Sequence, residues 1–352
     1  MATSRYDFII VGQGLAGSLL GYFLEKEGQS CFFIDDPSQT ASSDVAAGII
    51  NPITGRHFVK SWRVDDLLPF AAATYQQLEQ ELGIRFYHPR GLLRVLAKQG
   101  DENDWLARTG DPAYQPYMAE TASPGAYEHS AAPCYAYGET LYAAQVNLAS
   151  LTAALRQAWI GQGRWLATHI DYTQLEITPT GVRYGSIEAR QLVCCEGWRM
   201  KDNLYFNYLP LQGNKGEVLI VSFPEVSFDK ILKQQLFVVP LADQTYWIGS
   251  TSENRFESDA ASEQGLAYLR EGLSKLMRSP YTLLDHRSAV RPTVRDRRPL
   301  LGRHPQHPQL AVFNGLGTKG ASLGPYWAKH LADHLLKGLE LDQEVDIARF
   351  KK

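Results

Sequence analysis

Short apolar runs and helical apolar periodicities alternate along this chain of 352 residues, and its first elements follow the order strand, turn, helix, strand. Residues 8–11 are continuously apolar, which is typical of a parallel strand buried on both faces. Apolar side chains then recur at helical spacing over residues 15–23, and Gly28 predicts the end of that helix. A second apolar run at residues 31–34 predicts the next parallel strand.

The same order of elements returns near the end of the chain. Residues 310–313 form an apolar run, residues 315–320 a glycine-rich loop, and residues 323–336 an apolar helical pattern. Three further helices are predicted by the same periodicity, at residues 66–82, directly after Asn147, and at residues 259–277. Segments 84–142 and 206–256 are rich in aromatic and β-branched residues broken by prolines, which favours an antiparallel sheet.

The turn after the first strand reads GQGLAG and has the glycine spacing of a dinucleotide-binding turn. In such a turn Gly12 makes the tight bend, Gly14 lets backbone approach a pyrophosphate, and Gly17 lets the helix pack on the strand. Asp35 follows the second strand, where a carboxylate accepts hydrogen bonds from a ribose. A plain glycine turn in another α/β protein is the alternative, and this segment alone does not separate NAD from FAD.

The second glycine loop favours a flavin, because a single nicotinamide domain does not need another strand, glycine turn and helix. A reduced flavin carries negative charge near N1 and the C2 carbonyl, where backbone N–H groups at a helix N-terminus are stabilising. The loop from Gly317 to Gly320 is predicted to supply such donors, and Lys319 a positive charge. The alternative is that these glycines only cap the C-terminal helix.

Composition narrows the partners and the compartment. The 35 basic and 38 acidic residues are spread along the sequence and give a formal net charge of −3, without a basic stripe suited to nucleic acid. The 4 cysteines form no CxxC pair, which suits a reducing compartment. The sequence predicts neither a membrane span nor a signal segment. We therefore expect a cytoplasmic protein with no nucleic-acid partner, no membrane partner and no metal site.

Six motifs occur in one order over nearly the whole sequence: VGQGLAG, SSDVAAGII, LPLQGNKGE, YWIGST, AVRPTVRDRRPLLG and NGLGTKGASLGP. Together they resemble the D-amino acid oxidase family of FAD-dependent oxidoreductases. The last motif is also similar to the flavin domain of the bifunctional bacterial enzyme that completes a wobble-uridine modification of tRNA.

The resemblance implies an α/β fold with two domains. One is a Rossmann-like FAD-binding domain of the glutathione-reductase type, formed by residues 1–83, 143–205 and 285–352. The other is a substrate domain with a mostly antiparallel sheet, formed by residues 84–142 and 206–284. The cofactor is expected to be FAD, held without a covalent bond.

The resemblance also gives roles to individual residues. Arg291 matches the arginine that holds the substrate carboxylate in members that oxidise amino acids, and its planar fork suits a bidentate pair. A structural cluster with the charged residues at 295–298 is the alternative for Arg291. Catalytic roles are predicted for Arg291 and Lys319. Contacts with FAD are predicted for Gly12, Gly14, Leu15, Ala16, Gly17, Asp35, Asp36, Ser43, Ala47, Gly48, Ile170, Cys195, Gly197, Arg291, Gly315, Leu316, Gly317, Thr318, Lys319 and Gly320.

Three positions depart from the family pattern. Phe237 and Leu241 stand where glycine oxidases place a hydroxyl-bearing aromatic residue and a basic residue, so the particular amino acid is not indicated. Glu196 replaces the usual small residue after the apolar strand at 192–195.

The implied reaction is oxidation of the C–N bond of an amino acid or N-substituted amino acid. Hydride passes to flavin N5, and the imine hydrolyses to a carbonyl compound and ammonia or a smaller amine. Oxygen is the expected electron acceptor, and a quinone or an electron-transfer protein is the alternative. Two other functions stay open: a tRNA-modifying flavoenzyme that removes a carboxymethyl group from a wobble uridine, and a flavin-binding protein without turnover. The oligomeric state is not indicated.

Overall fold

Two large β-sheets organise the chain, and the computed structural model describes residues 4–350. Residues 1–3 and 351–352, the outer ends of two predicted FAD-binding segments, lie outside the described residues. The strands are β1 (Ser4–Val11), β2 (Cys31–Asp35), β3 (Ile49–Ile50), β4 (Ile53–Thr54), β5 (Val59–Lys60), β6 (Tyr87–Pro89), β7 (Leu92–Leu96), β8 (Ala136–Thr140), β9 (Ala144–Val146), β10 (Trp165–Ala167), β11 (Leu175–Thr178), β12 (Gly181–Tyr184), β13 (Ile187–Cys194), β14 (Leu211–Ser222), β15 (Ile231–Lys233), β16 (Phe237–Pro240), β17 (Thr245–Gly249), β18 (Thr282–Val294), β19 (Leu300–Arg303) and β20 (Leu310–Asn314). The helices are α1 (Leu15–Lys26), α2 (Ser42–Val45), α3 (Val64–Leu82), α4 (Gln99–Thr109), α5 (Tyr127–Ser130), α6 (Leu148–Gly161), α7 (Glu263–Leu276) and α8 (Gly320–Lys337).

The first sheet is mostly parallel and has eight strands. Strands β10, β2, β1, β13 and β20 run parallel in that order, while β12 and β19 join as antiparallel neighbours. Its central strands are apolar on both faces because helices cover one side and the segments after β13 cover the other. The predicted parallel strands at the two ends of the sequence therefore belong to one sheet.

The second sheet has seven strands in the order β18-β14-β17-β16-β15-β7-β8, and only the β15–β7 pair is parallel. One face packs on α7 through a core that includes Leu219, Leu269 and Leu273. The other face carries Val218, Trp247 and smaller apolar residues. The predicted fold class, a Rossmann-like domain with a mostly antiparallel second sheet, is confirmed.

Capping side chains determine where helices α6 and α7 begin. Helix α6 begins after Asn147, whose side chain accepts a hydrogen bond from Ser150 N at 3.1 Å. Helix α7 begins later than the predicted residue 259, because Ser262 Oγ accepts from Gly265 N at 3.0 Å and fixes the start there. Helix α4, which lies within the predicted sheet segment 84–142, was not predicted, since Trp105 is its only buried residue.

The two ends of the chain meet where α1 packs against α8. A Cβ on Gly324 would stand 2.8 Å from Leu19 Cδ1, and one on Gly320 would stand 3.2 Å from Leu15 Cδ2. Glycine on α8 therefore allows the two helices to approach closely. Within residues 4–350, no helix is long and apolar enough to cross a lipid bilayer.

Candidate active site

The first glycine turn leads from β1 directly into α1. Gly12 has a φ of +88°, and a Cβ there would contact the Cys195 carbonyl oxygen at 2.5 Å. A Cβ on Gly17 would overlap the Gly12 carbonyl oxygen, so the helix packs on the turn only with glycine at this position. The N-cap of α1 is Gly14, and no side chain among residues 4–350 caps the first N–H groups of the helix. These donors are therefore free to bind an anion.

Two aspartates at the end of β2 border the same space. Asp35 Oδ1 accepts a hydrogen bond from Gln13 N at 3.0 Å, and Asp35 Oδ2 lies 3.4 Å from Arg156 Nη2. Burial raises the pKa of Asp35, although the Gln13 N–H and the Arg156 charge act in the opposite direction. Asp36 accepts a hydrogen bond from the Ser38 hydroxyl at 2.6 Å. Both aspartates lie on the cavity wall, where carboxylates can accept from ribose hydroxyls.

Small residues between β2 and β3 keep this space open. A Cβ on Gly14 would stand only 3.2 Å from Ser43 Oγ. Gly48 has a φ of +68°, and a Cβ there would overlap the Val146 carbonyl oxygen. Ser43, Gly48 and the intervening Ala47 all lie on the cavity wall. A side chain at Gly48 would therefore displace the backbone that forms this part of the wall.

The segment after β13 brings a buried carboxyl to the wall. Glu196 accepts a hydrogen bond from Asn203 Nδ2 at 2.6 Å. Burial raises the pKa of Glu196 to about 7. Cys195 and Gly197, which flank Glu196, also lie on the wall. Cys194 faces the core on the opposite side of the sheet, where its sulfur lies 3.3 Å from the Tyr172 hydroxyl.

The second glycine loop lies between β20 and α8. Gly315 and Gly317 have φ values of +74° and +56°, which glycine adopts without strain. Asn314, which ends β20, donates to the Gly197 carbonyl oxygen at 2.9 Å and so ties this loop to the segment after β13. Lys319 is not on the cavity wall, and its Nζ donates to Ser61 Oγ at 3.2 Å. Burial lowers the pKa of Lys319, and the charges of nearby arginines act in the same direction.

Arg291 extends from β18 across the face of the second sheet. Its Nη1 donates to Asn214 Oδ1 at 2.6 Å, and its Nη2 donates to Ser250 Oγ at 2.7 Å. Gly216 makes room for the guanidinium, because a Cβ there would overlap Arg291 Nη2. Burial lowers the pKa of Arg291. Among residues 4–350, no carboxylate oxygen lies within 4.0 Å of this cation.

One cavity of about 720 Å³ joins these parts. Most of the residues predicted from the sequence lie on its wall, namely Gly12, Gly14, Leu15, Ala16, Asp35, Asp36, Ser43, Ala47, Gly48, Ile170, Cys195, Gly197, Arg291, Leu316, Gly317, Thr318 and Gly320. Gly17, Gly315 and Lys319 are not on the wall. Gly17 and Gly315 shape the backbone behind it, whereas the Lys319 side chain is hydrogen-bonded to Ser61, which is not on the wall either.

The structure adds residues that were not predicted. Trp198, Ser250 and Ser288 lie on the cavity wall, and Asn214 holds Arg291 from the neighbouring strand. Asn214 and Ser250 stand in the motifs LPLQGNKGE and YWIGST, but the sequence carries no signal that their side chains meet Arg291. Phe237 also lies on the wall, so the position that departs from the family pattern is part of the site.

The family model for DAO, described as FAD dependent oxidoreductase, matches residues 7–334. The chain belongs to the DAO family of FAD-dependent oxidoreductases. The predicted resemblance and the predicted FAD dependence are therefore confirmed.

The chain is 26% identical over 362 residues to the bifunctional protein ThiO/ThiG of Nostoc sp. (strain PCC 7120 / SAG 25.82 / UTEX 2576), covering 94% of this chain and 53% of that protein. It is 25% identical over 347 residues to the tRNA 5-methylaminomethyl-2-thiouridine biosynthesis bifunctional protein MnmC of Caulobacter sp. (strain K31), covering 93% and 54%. The chain thus spans about half the length of these curated relatives. The crystal structure of glycine oxidase from Geobacillus kaustophilus shares the fold, with a TM-score of 0.79, 22% identity, and coverage of 99% of this chain and 98% of that one.

The residues of the cavity fit the FAD that DAO family members use. The free N–H groups of α1 suit a pyrophosphate, and Asp35 suits a ribose. Gly14 and Gly48 let the backbone segments that form the wall pass close to their neighbours, and the cavity of about 720 Å³ has room for an extended ligand. Arg291 and the second glycine loop border the same cavity at positions far from Gly12 in the sequence.

Proposed function

We propose that this chain oxidises the C–N bond of an amino acid or N-substituted amino acid whose carboxylate binds Arg291. One observation carries the proposal: the half-buried Arg291 lies on the FAD cavity without a carboxylate within 4.0 Å among residues 4–350. A cation that is partly withdrawn from water and has no counter-ion favours a ligand that supplies the negative charge. Asn214, Ser250 and the Thr251 carbonyl oxygen hold the guanidinium in place, while its Nε–H and the second N–H of Nη2 have no acceptor among residues 4–350 and can bind a planar carboxylate.

The residues around Arg291 support a role in orienting the substrate. A bound FAD would supply the hydride acceptor for oxidation of the carbon beside the substrate nitrogen, and hydrolysis of the oxidised amine would give a carbonyl compound and ammonia or a smaller amine. By binding the acid group, Arg291 would restrict the orientation of the reacting carbon relative to the flavin. Phe237 and Trp247 add apolar surface to the wall and exclude water. The Trp247 N–H donates to the Val45 carbonyl oxygen at 2.8 Å, so it is used within the protein to hold the indole in the cavity wall.

The glycine turns are proposed to hold the two ends of the cofactor. The N–H groups of α1 would bind the pyrophosphate, Asp35 the ribose, and the backbone from Gly317 to Gly320 the flavin ring. Lys319 is proposed to add positive charge from beside that loop, since this half-buried residue is held in place by the hydrogen bond from its ammonium to Ser61.

An anaerobic reduction assay tests the proposal. The FAD-loaded protein is mixed without oxygen with a panel of amino acids, N-methyl amino acids and their amides, and loss of the flavin absorbance is followed. We expect at least one carboxylated amine to reduce the flavin and its amide to be much slower. If no amine reduces it, the proposal fails and a flavin-binding protein without turnover is favoured.

A second candidate is a tRNA-modifying flavoenzyme that acts on a carboxymethylamine of a wobble uridine. The similarity to the MnmC protein favours it, and Arg291 would hold the same carboxylate. The net charge of −3 speaks against tight binding to an RNA backbone. Binding of unmodified and carboxymethylated tRNA at several salt concentrations separates the candidates, because a substrate tRNA would be preferred at every salt concentration.

We further propose that the protein works in the cytoplasm and passes its electrons to oxygen. The 4 cysteines are free in the structure, which suits a reducing compartment. Hydrogen peroxide formed per amine consumed measures the use of oxygen, and a quinone or an electron-transfer protein is the acceptor if no peroxide forms.

A further inference from the structure

A second pair of cations lies on the face of the second sheet that borders the cavity. Arg94 on β7 and Lys233 on β15 are direct neighbours in the parallel register of these strands. Because side chains alternate along a strand, both lie on the face that carries Leu92 and Ile231. Phe237, which lines the cavity, belongs to this face as well.

Neither cation has a counter-ion in contact. Among residues 4–350, no carboxylate oxygen lies within 4.0 Å of Arg94 or Lys233, and Asp101 attracts Arg94 only from farther away. Lys233 Nζ donates to the Gln235 carbonyl oxygen at 2.8 Å, and Arg94 Nη2 lies 3.4 Å from the Gly55 carbonyl oxygen. Each cation thus has a neutral acceptor only.

The closeness of Arg94 and Lys233 disfavours their charged forms when no anion is bound. Burial and the adjacent Arg94 charge lower the pKa of Lys233 to about 8, and burial lowers the pKa of Arg94 as well. Both side chains are half-buried, and two like charges side by side repel each other, so a bound anion would be stabilising there. The pair lies next to Phe237, a residue of the cavity wall, which makes it a candidate anion-binding site.

The pair and Arg291 lie on opposite sides of Phe237. The Lys233 ammonium lies 4.1 Å from the centre of the Phe237 ring. Phe237 in turn pairs with Gly249, and the next residue, Ser250, accepts from Arg291 Nη2 at 2.7 Å. Since β15 is two strands from β17, about 10 Å separates the two strand axes. One elongated ligand can therefore reach from Arg291 past Phe237 toward Lys233.

We propose that Lys233 and Arg94 bind a second carboxylate, so that the substrate is an amine with two acid groups separated by a linker. This inference rests on the proposed function, in which Arg291 binds the carboxylate beside the reacting carbon. The second acid group passes the edge of Phe237, since the two cations lie behind this ring and not on the wall of the main cavity. Phe237 itself cannot donate a hydrogen bond, and the ammonium over its ring supplies the charge that the phenyl group lacks.

Unreactive acids test the inference directly. The FAD-loaded full chain is titrated with linear dicarboxylates from succinate to pimelate and with monocarboxylates of equal chain length, and the change in the flavin spectrum gives Kd. We expect the longer dicarboxylates to bind at least about tenfold more tightly than their monocarboxylate partners, a difference of ~1.4 kcal/mol. Equal affinity at every length would overturn the inference, whatever the variants do.

Variants assign the effect to the pair. Lys233→Met and Arg94→Met should each remove most of the preference for dicarboxylates and leave the monocarboxylate Kd unchanged. Lys275→Met, at an exposed lysine of α7 that pairs with Glu271, is the matched control and should keep the preference. An undiminished preference in Lys233→Met would overturn the assignment.

Two further measurements, with a phosphono acid and with the variant Arg291→Met, distinguish a phosphate site from a carboxylate site and a failure of this inference from a failure of the proposed function. A phosphono acid of the same length that binds more tightly than the dicarboxylate by about tenfold would overturn the carboxylate assignment in favour of a phosphate group. If the proposed function itself is wrong, no carboxylate will perturb the flavin, and Arg291→Met will change nothing. If only this inference is wrong, monocarboxylates and dicarboxylates will bind equally, and Arg291→Met will weaken both.

Discussion

Asn214 and Arg291 lie directly opposite each other on the antiparallel strands β14 and β18, and Arg291 Nη1 donates to Asn214 Oδ1 at 2.6 Å. The other end of the Asn214 amide donates to Ser252 Oγ at 2.9 Å and Asn254 Oδ1 at 2.8 Å, which fixes which end of the amide faces the arginine. Asn214 is therefore a positioning residue for the group that we propose to bind the substrate.

Replacing Asn214 by aspartate tests this positioning. The carboxylate of Asn214→Asp would still accept from Arg291, but its charge would compete with the substrate carboxylate. We expect KM for carboxylated amines to rise by about 100-fold, equal to ~2.7 kcal/mol, with a smaller change in kcat. Steady-state kinetics measure the split. Asn254→Ala, which alters only the far end of the amide, should change KM little, and an equal effect of both variants would contradict the role.

The contact between Gly17 and Gly12 predicts a structural requirement for cofactor binding. A Cβ at Gly17 overlaps the Gly12 carbonyl oxygen, so Gly17→Ala should displace α1 and cost about 1–3 kcal/mol of unfolding free energy. FAD affinity, measured by titration of the apoprotein, should fall with it. Gly161→Ala is the control, because a Cβ at this helical glycine meets no atom within 4 Å and should stabilise α6 by about 0.5–1 kcal/mol.

Glu196 predicts a pH dependence of stability. Its pKa rises from the usual 4.5 to about 7 in the folded protein, so the folded state holds this proton over a range where the unfolded chain has lost it. The free energy of unfolding should therefore fall as the pH rises from about 4.5 to 7, by about 1–3 kcal/mol in total.

Glu196→Gln removes this proton and should abolish that part of the slope. Urea unfolding of the FAD-loaded protein should show the variant gaining stability over the wild type between about pH 5 and about pH 8. Glu257→Gln, at an exposed position, is the control and should leave the slope unchanged. A constant difference between wild type and Glu196→Gln would show that Glu196 ionises normally.

The charge of Lys319 is expected to raise the midpoint potential of the bound flavin. If its half-buried ammonium stabilises the charge of the reduced flavin through the loop, Lys319→Met should lower the midpoint potential by about 30 mV, which is ~1.4 kcal/mol for two electrons. Spectroelectrochemical titration measures this shift. Ser61→Ala removes the hydrogen bond to Lys319 but keeps the charge, so its potential should match the wild type. Equal shifts in both variants would point to a purely structural role for Lys319.

Local patterns predicted many of the residues that line the cavity. The spacing of Gly12, Gly14 and Gly17, the acidic residue after β2 and the small residues near Gly48 are all visible in the sequence, because backbone geometry and close packing restrict these positions to few residue types. The family resemblance added Arg291. The cavity wall contains most of these residues.

Contacts between distant strands could not be predicted in the same way. The partners of Arg291, Asn214 and Ser250, are 77 and 41 positions away in sequence, and the register of β14, β17 and β18 alone brings them together. The direction of the Lys319 side chain depends on where Ser61 lies, which no local pattern indicates. Helix α4 escaped prediction because most of its surface is polar and exposed.

The most direct test of the account is the rate of anaerobic flavin reduction by a carboxylated amine and by its amide, in wild type, Arg291→Met and Arg287→Met. Arg287 lies on the same strand but pairs with Asp285 at the surface, with Nε and Oδ2 2.6 Å apart. We predict that Arg291→Met lowers kcat/KM for the acid by about 100-fold, or ~2.7 kcal/mol, and leaves the amide unchanged, while Arg287→Met behaves as wild type. An equal loss for acid and amide in Arg291→Met, or no loss for either, would contradict the claim that Arg291 binds the substrate carboxylate.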